Sequence, residues 1–377
     1  MIDAAGLKAS WRAVAGHGDQ VPLFFYSSLF LSHPQTREMF PVSMAAQRDK
    51  LVHALGQVIS RVDDLDSVLP VLEQLGRDHR KFGVVPDHYP AVGDALLATL
   101  EHFSGAEWSE QLARDWSDAF GIVADVMIAA ADSAATETPP WWELTVTEVE
   151  RRSVDVAVLT VRPHSRLPYR AGQSVAVETP MRPRLWRYYT PATLPAADGS
   201  FELHVRLVPG GPVSSAIVHS AQVGDVLRAG SPVGHDLTLD PASLRDLLML
   251  AGGTGVAPMK ALLQQLEAES SRRRVHLYWG ARYHRDLYDL RALRTLAERA
   301  AGVRLVPCLS LERSITSPFE QGSAVEVALR HGDWTDHEIY VCGSPAMVQG
   351  TVAAVRQAGL PPLLVHVEEF GNEETVL

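Results

Sequence analysis

The spacing of apolar residues changes twice along the 377-residue chain, and no single fold accommodates all three patterns. Up to about residue 135, apolar residues recur every three or four positions in segments such as 47–61 and 107–131, which is the period of a helix. From residue 141, short alternating segments such as 201–207 indicate strands. From about residue 243, apolar strand segments alternate with helical ones, which is typical of a parallel sheet covered by helices.

These patterns predict a multidomain protein. We expect an all-α domain over residues 1–135, a linker over 136–140, an antiparallel β-barrel domain over 141–242 and an α/β parallel-sheet domain over 243–377. The linker prediction depends on a polar stretch that ends in Pro139-Pro140. A chain of this length is sufficient for several domains that each have a core.

Composition excludes several classes of partner. The net charge of -11 argues against nucleic acid or an anionic membrane surface. The two cysteines, Cys308 and Cys342, lie in apolar runs, so we expect a reducing compartment rather than a disulfide framework. No apolar run approaches the ~20 residues of a membrane span, and no cationic, apolar leader precedes Trp11. We therefore predict a cytoplasmic protein with small-molecule partners, and the sequence leaves its oligomeric state open.

A glycine-rich turn follows the apolar segment 247–251 and precedes a predicted helix. The run is Gly252-Gly253-Thr254-Gly255-Val256-Ala257-Pro258, and such a turn lets backbone N–H groups approach a phosphate closely. It is not the full dinucleotide fingerprint, because Pro258 stands where a third glycine would be. Proline does suit the first turn of a helix. Taken alone, the turn is equally compatible with a structural strand-to-helix connection.

Motifs in all three parts occur in the order of one protein family. In the helical part they are residues 24–30, His33-Pro34, residues 37–41, Gln47-Arg48, and His79 followed by Pro86, Tyr89 and Val92-Gly93. In the later parts they are Arg187-Tyr188-Tyr189-Thr190, residues 210–214, the glycine turn, residues 342–347 and residues 368–371. In these motifs the chain resembles the flavohaemoglobins, in which a globin is fused to a reductase of the ferredoxin-reductase superfamily. The resemblance covers essentially the whole chain.

The resemblance implies a haem b site in the helical domain. A globin haem needs one neutral imidazole on iron, while the opposite face stays open to gas. His79 would be that ligand. On the distal side, Tyr26 and Gln47 would hydrogen-bond the bound gas, and Phe40 and Leu51 would pack against the haem and close the pocket. Each residue alone has a plainer interpretation as a core or surface side chain, but the joint spacing favours haem.

The proximal side departs from the family pattern. The family has a glutamate on its last globin helix that, helped by a tyrosine, hydrogen-bonds the proximal imidazole and raises electron density on iron. Tyr89 keeps the tyrosine and is a predicted catalytic residue. Aligning the last helix on Trp116 and Gly121 puts Ala131 at the glutamate position. The residue before the proximal histidine, usually basic, is Asp78. The electronic effect on iron, and with it the rate or the preferred chemistry, is therefore open.

For the barrel domain the resemblance implies FAD. Arg187 would pair with the pyrophosphate, Tyr189 would stack on the isoalloxazine, and Thr190 would hydrogen-bond near its reactive nitrogen. Further predicted contacts lie at a helix start, where free N–H groups favour phosphate: Gly211, Val213 and Ser214. Because FMN has no pyrophosphate, these residues favour FAD. The alternative is a strand with alternate buried tyrosines, followed by a turn with a capping serine.

For the α/β domain the resemblance implies NADH or NADPH. The predicted contacts of the glycine turn and of a second loop are Gly253, Thr254, Gly255, Pro258, Cys342 and Gly343. Glu368 and Phe370 match a segment whose aromatic ring covers the flavin until nicotinamide displaces it. Near the adenine ribose, Glu312 would repel a 2′-phosphate, whereas Arg282 or Arg313 could bind one, and the balance leans to NADH.

The function implied by the resemblance is that of an NAD(P)H-dependent nitric oxide dioxygenase, an oxidoreductase that makes nitrate from NO and O2. A hydride would pass to FAD, single electrons would pass to haem iron, and NO would attack haem-bound O2. The flavin is needed because a hydride carries two electrons and iron accepts one. Three alternatives stay open: a reductase with another acceptor such as peroxides, a gas carrier or sensor kept ferrous by its reductase, and a flavin reductase with a haemless helical domain.

Overall fold

The computed structural model of the protein describes residues 2–300, 302–312, 316 and 318–370. They form two compact units, one up to Trp141 and one from Trp142 onward. None of the helices in these ranges combines the length and apolar character that crossing a membrane requires.

The first unit is helical, as its apolar spacing predicts. Its helices are α1 (Ala4–Ala15), α2 (Gln20–Ser32), α3 (Ala45–Ser60), α4 (Leu65–His79), α5 (His88–Ser104) and α6 (Glu110–Ala135). Short 3₁₀ turns lie between them at Pro34–Met39, Arg80–Phe82 and Gly105–Glu107. The main core is formed by large side chains of α1, α2, α5 and α6, including Leu7, Leu29, Leu100 and Trp116.

One contact between α4 and α6 leaves no room for a side chain. A Cβ atom on Gly76 would lie 2.3 Å from the backbone oxygen of Met127, so glycine is required at this position. Four residues later, Arg80 donates to the Thr138 hydroxyl at 3.1 Å, just beyond the end of α6. These two contacts bracket His79, the last residue of α4, and place it beside the C-terminal end of α6.

The second unit begins with an antiparallel sheet. Its strands are β1 (Trp142–Arg151), β2 (Val156–Pro163), β3 (Val175–Glu178), β4 (Trp186–Tyr189), β5 (Phe201–Arg206) and β6 (Val226–Ala229), and α7 (Pro212–Ser220) follows β5. The strand order is β4-β3-β6-β1-β2-β5. A bridge between Pro191, just after β4, and Leu203 on β5 nearly closes the sheet. The prediction of an antiparallel barrel is therefore confirmed.

A parallel sheet completes the second unit. Its strands are β7 (Leu247–Gly252), β8 (Val275–Ala281), β9 (Val303–Leu309), β10 (Glu320–Gln321), β11 (Glu338–Gly343) and β12 (Val365–Glu369), in the order β10-β9-β8-β7-β11-β12. Helices α8 (Val256–Ala268) and α9 (Leu290–Arg299) cover one face, and α10 (Ala324–His331) and α11 (Pro345–Gln357) cover the other. The predicted α/β architecture is confirmed. The chain reverses direction across the sheet between β7 and β11, where open α/β sheets bind ligands.

Candidate functional site

Tyr26 on α2 is the centre of the predicted distal group. Its side chain is 6% exposed, and its hydroxyl donates to the backbone oxygen of Gln47 at 3.3 Å. Its ring meets that of Phe40 edge-on, with centroids 5.5 Å apart, and Leu51 packs against the same apolar cluster. Burial raises the pKa of Tyr26, so the phenol keeps its proton and stays a hydrogen-bond donor. The structure thus brings the four predicted distal residues together.

His79 has the ring orientation and protonation that an iron ligand requires. Its Nδ1 lies 2.7 Å from the backbone oxygen of Leu75, and because a carbonyl only accepts, Nδ1 carries the proton. Nε2 therefore holds a free lone pair and has no hydrogen-bond partner among the described residues. Burial of the ring lowers the pKa of His79, although the Leu75 contact and the charge of Asp78 oppose this, so the imidazole is neutral. These properties fit a haem ligand.

The proximal surroundings of His79 contain no described carboxylate bonded to its ring. Tyr89 packs in the apolar cluster between α4 and α6, where burial raises its pKa, and its hydroxyl has no described partner. Ala131 is half-buried on the stretch of α6 beside His79, and Asp132 is exposed. The Asp78 carboxylate accepts from Lys81 at 2.8 Å. The neutral Leu75 carbonyl is therefore the described acceptor for the imidazole proton.

Thr190, directly after β4, belongs to a group of two buried hydroxyls and a half-buried carboxylate. Its Oγ1 lies 2.8 Å from Ser174 Oγ and 3.2 Å from Glu368 Oε2. Ser174 donates to Glu368 Oε1 at 2.6 Å. Burial raises the pKa of Glu368 against the effect of both hydrogen bonds. We call Ser174, Thr190 and Glu368 the carboxylate triad. Sequence reasoning singled out Thr190 and Glu368 separately and missed Ser174.

The other predicted flavin contacts lie on β4 and at the start of α7. Arg187 and Tyr189 are both half-buried on β4, and burial raises the pKa of Tyr189. Because the first turn of a helix has no preceding helical carbonyls, the backbone N–H groups of Val213 and Ser214 have no described acceptor at the start of α7. The Ser214 hydroxyl instead accepts from the Val208 N–H at 3.1 Å. This turn therefore offers a phosphate its backbone rather than its serine side chain.

The glycine turn and the second loop meet where the strand order reverses. A Cβ atom on Gly255 would lie 2.2 Å from the backbone oxygen of Cys342, so this approach requires glycine. Thr254 and Pro258 are buried at the start of α8. Burial raises the pKa of the Cys342 thiol, which keeps it protonated and makes it a packing residue.

The end of β11 also contacts Phe370, the last described residue. Phe370 donates its backbone N–H to the Gly343 oxygen at 2.7 Å, and its ring packs against the core beneath α8.

Near the predicted site of the adenine ribose, Glu312 accepts from the His284 N–H at 3.2 Å, and Arg282 is exposed. Arg313 lies outside the described residues.

Three family models match successive stretches of the chain. They are a globin over residues 23–127, an oxidoreductase FAD-binding domain over residues 143–236 and an oxidoreductase NAD-binding domain over residues 249–353. Curated relatives match almost end to end. A flavohemoprotein of Bacillus subtilis is 26% identical over 97% of this chain and 96% of its own length. Another, of Bordetella parapertussis, is 26% identical over 97% of both.

Solved structures agree with these matches. A flavohemoglobin from Malassezia yamatoensis with bound FAD and heme aligns with a TM-score of 0.78 at 18% identity, covering 98% of both chains, which shows a shared fold. A cytochrome P450 reductase from Amycolatopsis is 30% identical, with a TM-score of 0.56 over 61% of this chain and 69% of its own. The second similarity is consistent with a reductase that occupies the larger part of the chain.

Proposed function

Because the chain belongs to the flavohaemoglobin family, we propose that this oxidoreductase is a nitric oxide dioxygenase that converts NO and O2 to nitrate at the expense of NAD(P)H. Haem, FAD and a nicotinamide nucleotide are its cofactors. The observation that carries the proposal is the buried, protonated hydroxyl of Tyr26 within an apolar cluster, in the same unit as a neutral His79 with a free Nε2. A phenol in such surroundings stabilises negative charge that develops on a small gaseous substrate.

The cofactors would supply two-electron acceptance with one-electron release at FAD and activation of diatomic gases at haem iron. The protein supplies the environment. His79 would hold the iron through Nε2, with its ring fixed by the Leu75 carbonyl. Tyr26 would orient the gas through a hydrogen bond from its hydroxyl group, and Phe40 and Leu51 would keep water out.

In the reductase unit, the carboxylate triad would hold and move a proton. Because the pKa of Glu368 is raised, this carboxyl gives and accepts a proton nearer to neutral pH than an ordinary glutamate does. The hydroxyls of Ser174 and Thr190 connect it to the end of β4, beside Tyr189. The free N–H groups at the start of α7 would bind pyrophosphate, and the glycine turn would admit the nicotinamide nucleotide. Glu312 supports NADH over NADPH.

The proposal is tested by measuring nitrate formed per NADH when the loaded protein turns over NO in air. Each nitrate made from NO and O2 takes up one electron, so we expect about two nitrates per NADH. Tyr26→Phe removes the donor and keeps the ring, and we expect turnover with NO to fall about 10- to 100-fold while dye reduction by NADH is unchanged. NADH oxidation without nitrate would contradict the proposal.

One observation favours a second candidate function. The imidazole of His79 donates to a neutral carbonyl rather than to a carboxylate, so it would supply less electron density to a bound iron than the family pattern implies. A different preferred acceptor, such as a lipid hydroperoxide, would then suit the protein better. The same assay decides between the two when peroxide replaces NO, because the true substrate gives the higher NADH-dependent turnover.

A further inference from the structure

Strand β5 has one apolar face and one polar face. Phe201, Leu203 and Val205 fill the core of the barrel. The residues between them, Glu202 and His204, contact α8 and the segment that precedes α9. The same strand forms the bridge that closes the barrel next to Thr190, through Leu203 and Pro191. A strand of the barrel thus also contacts the α/β domain, through α8 and the segment before α9.

Lys260 is the main contact on the opposite side. It lies on α8 two residues after Pro258, within a run of buried residues, and is 5% exposed. Its Nζ donates to Glu202 Oε2 at 2.7 Å and to Asp289 Oδ2 at 2.9 Å. The Asp289 side chain is 0% exposed and also accepts from Arg152 at 3.2 Å. One buried ammonium therefore joins the barrel, α8 and the residue before α9.

A second set of contacts runs from His204 to the glycine turn. His204 Nδ1 lies 2.8 Å from the Tyr288 hydroxyl, and its Nε2 lies 3.1 Å from Glu202 Oε2. The Tyr288 ring packs edge-on against Trp279, with centroids 5.7 Å apart. Trp279 Nε1 in turn donates to the backbone oxygen of Gly253 at 2.9 Å. The polar face of β5 is thus connected both to the glycine turn and to the helix that follows it.

Stability alone does not account for this arrangement. Removing an ammonium and two carboxylates from water costs about as much as their attraction returns, and apolar residues of similar volume are often as stable or better. Charged pairs do impose one geometry, because only one arrangement satisfies all the donors and acceptors. Hydride transfer depends steeply on the separation and alignment of the reacting atoms. Charged contacts that fix the distance between β5 and the glycine turn would therefore help to align the reacting atoms.

We propose that Lys260 is a positioning residue for hydride transfer. Through its paired contacts with Glu202 and Asp289, it sets how closely the glycine turn approaches β5 and the adjoining end of β4. The proposal depends on the use of FAD and a nicotinamide nucleotide. It does not depend on the reaction at haem, so failure of the NO assay leaves it untouched.

The test compares Lys260→Met with Arg299→Met in the haem- and FAD-loaded protein. Arg299 pairs with Glu267 at 3.2 Å between the same two helices, α9 and α8, but in an exposed position, so it is a matched control. We expect Lys260→Met to slow flavin reduction by saturating NADH at least about tenfold in stopped-flow mixing. We also expect it to weaken the charge-transfer absorbance of the reduced flavin with NAD⁺. FAD content and the Kd for NAD⁺ stay within about threefold, and Arg299→Met changes neither rate nor absorbance.

A second variant covers the case in which Lys260→Met does not fold. Glu202→Gln retains the contact between Lys260 and Asp289 and removes one charge from the network. We expect the same two signals to fall by a smaller factor. An unchanged rate and an unchanged charge-transfer absorbance in the folded variants would overturn the proposal. A rise in the Kd for NAD⁺ with a normal rate at saturation would also overturn it, because it would show that Lys260 acts in binding.

Discussion

The polar groups of the two candidate sites, one in each unit, differ in the hydrogen bonds that they make. In the helical unit, the Tyr26 hydroxyl makes one long hydrogen bond of 3.3 Å, and His79 Nε2 and the Tyr89 hydroxyl have no described partner. In the second unit, the groups of the carboxylate triad bond one another at 2.6 to 3.4 Å. The atoms named in the helical unit are therefore available to a ligand, whereas the groups of the triad bond one another.

The largest effect is expected from a substitution that disrupts only the site in the helical unit. His79→Ala removes the proposed iron ligand, and we expect haem per chain, measured by Soret absorbance, to fall at least about tenfold. NADH-dependent reduction of an artificial dye should stay within about twofold, because the reductase unit keeps its own core. His88→Ala is the matched control, since His88 lies nearby in sequence but caps a turn by accepting from the Val85 N–H. Parallel loss of dye reduction would contradict the independence of the two sites.

An intermediate effect is expected when the carboxylate triad is changed. Glu368→Gln keeps the shape of the side chain but cannot transfer a proton, so we expect flavin reduction to slow about tenfold. Since burial raises the Glu368 pKa above its ordinary 4.5, the wild-type rate should change with pH above that value. The variant should lack this step in stopped-flow measurements across pH. A step that persists in the variant would assign it to another group.

The smallest effect is expected from adding a hydrogen-bond acceptor for His79 in the helical unit. Ala131→Glu supplies a carboxylate on the stretch of α6 beside His79. If it reaches the ring, the imidazole donates to a charged acceptor, and we expect a higher iron–histidine stretching frequency by resonance Raman. Ala131→Gln is the uncharged control and should shift it less. An unchanged frequency would show that position 131 does not face the proximal ring.

Local patterns account for the fold far better than for the contacts within the sites. Apolar periodicity predicts the helices, the barrel and the parallel sheet, because burial repeats at the period of each element. The glycine turn is also visible, since the close approach at Gly255 excludes other residues. Ser174 and Lys260 are different. Their partners lie 194 and 58 residues away in sequence, and a polar residue that is satisfied only in the folded state leaves no periodic signal.

The position of Glu368 on β12 has a consequence for biosynthesis. A ribosome releases Ser174 and Thr190 long before the strand that completes their triad, whereas residues 2–135 emerge first and contain all the described parts of the proposed haem site. Domains generally fold as units during translation, with the N-terminal one first. A nascent chain halted before Val365 would therefore display the helical unit tethered to a reductase that still lacks Glu368, and the order of assembly would run opposite to the order of electron flow that we propose.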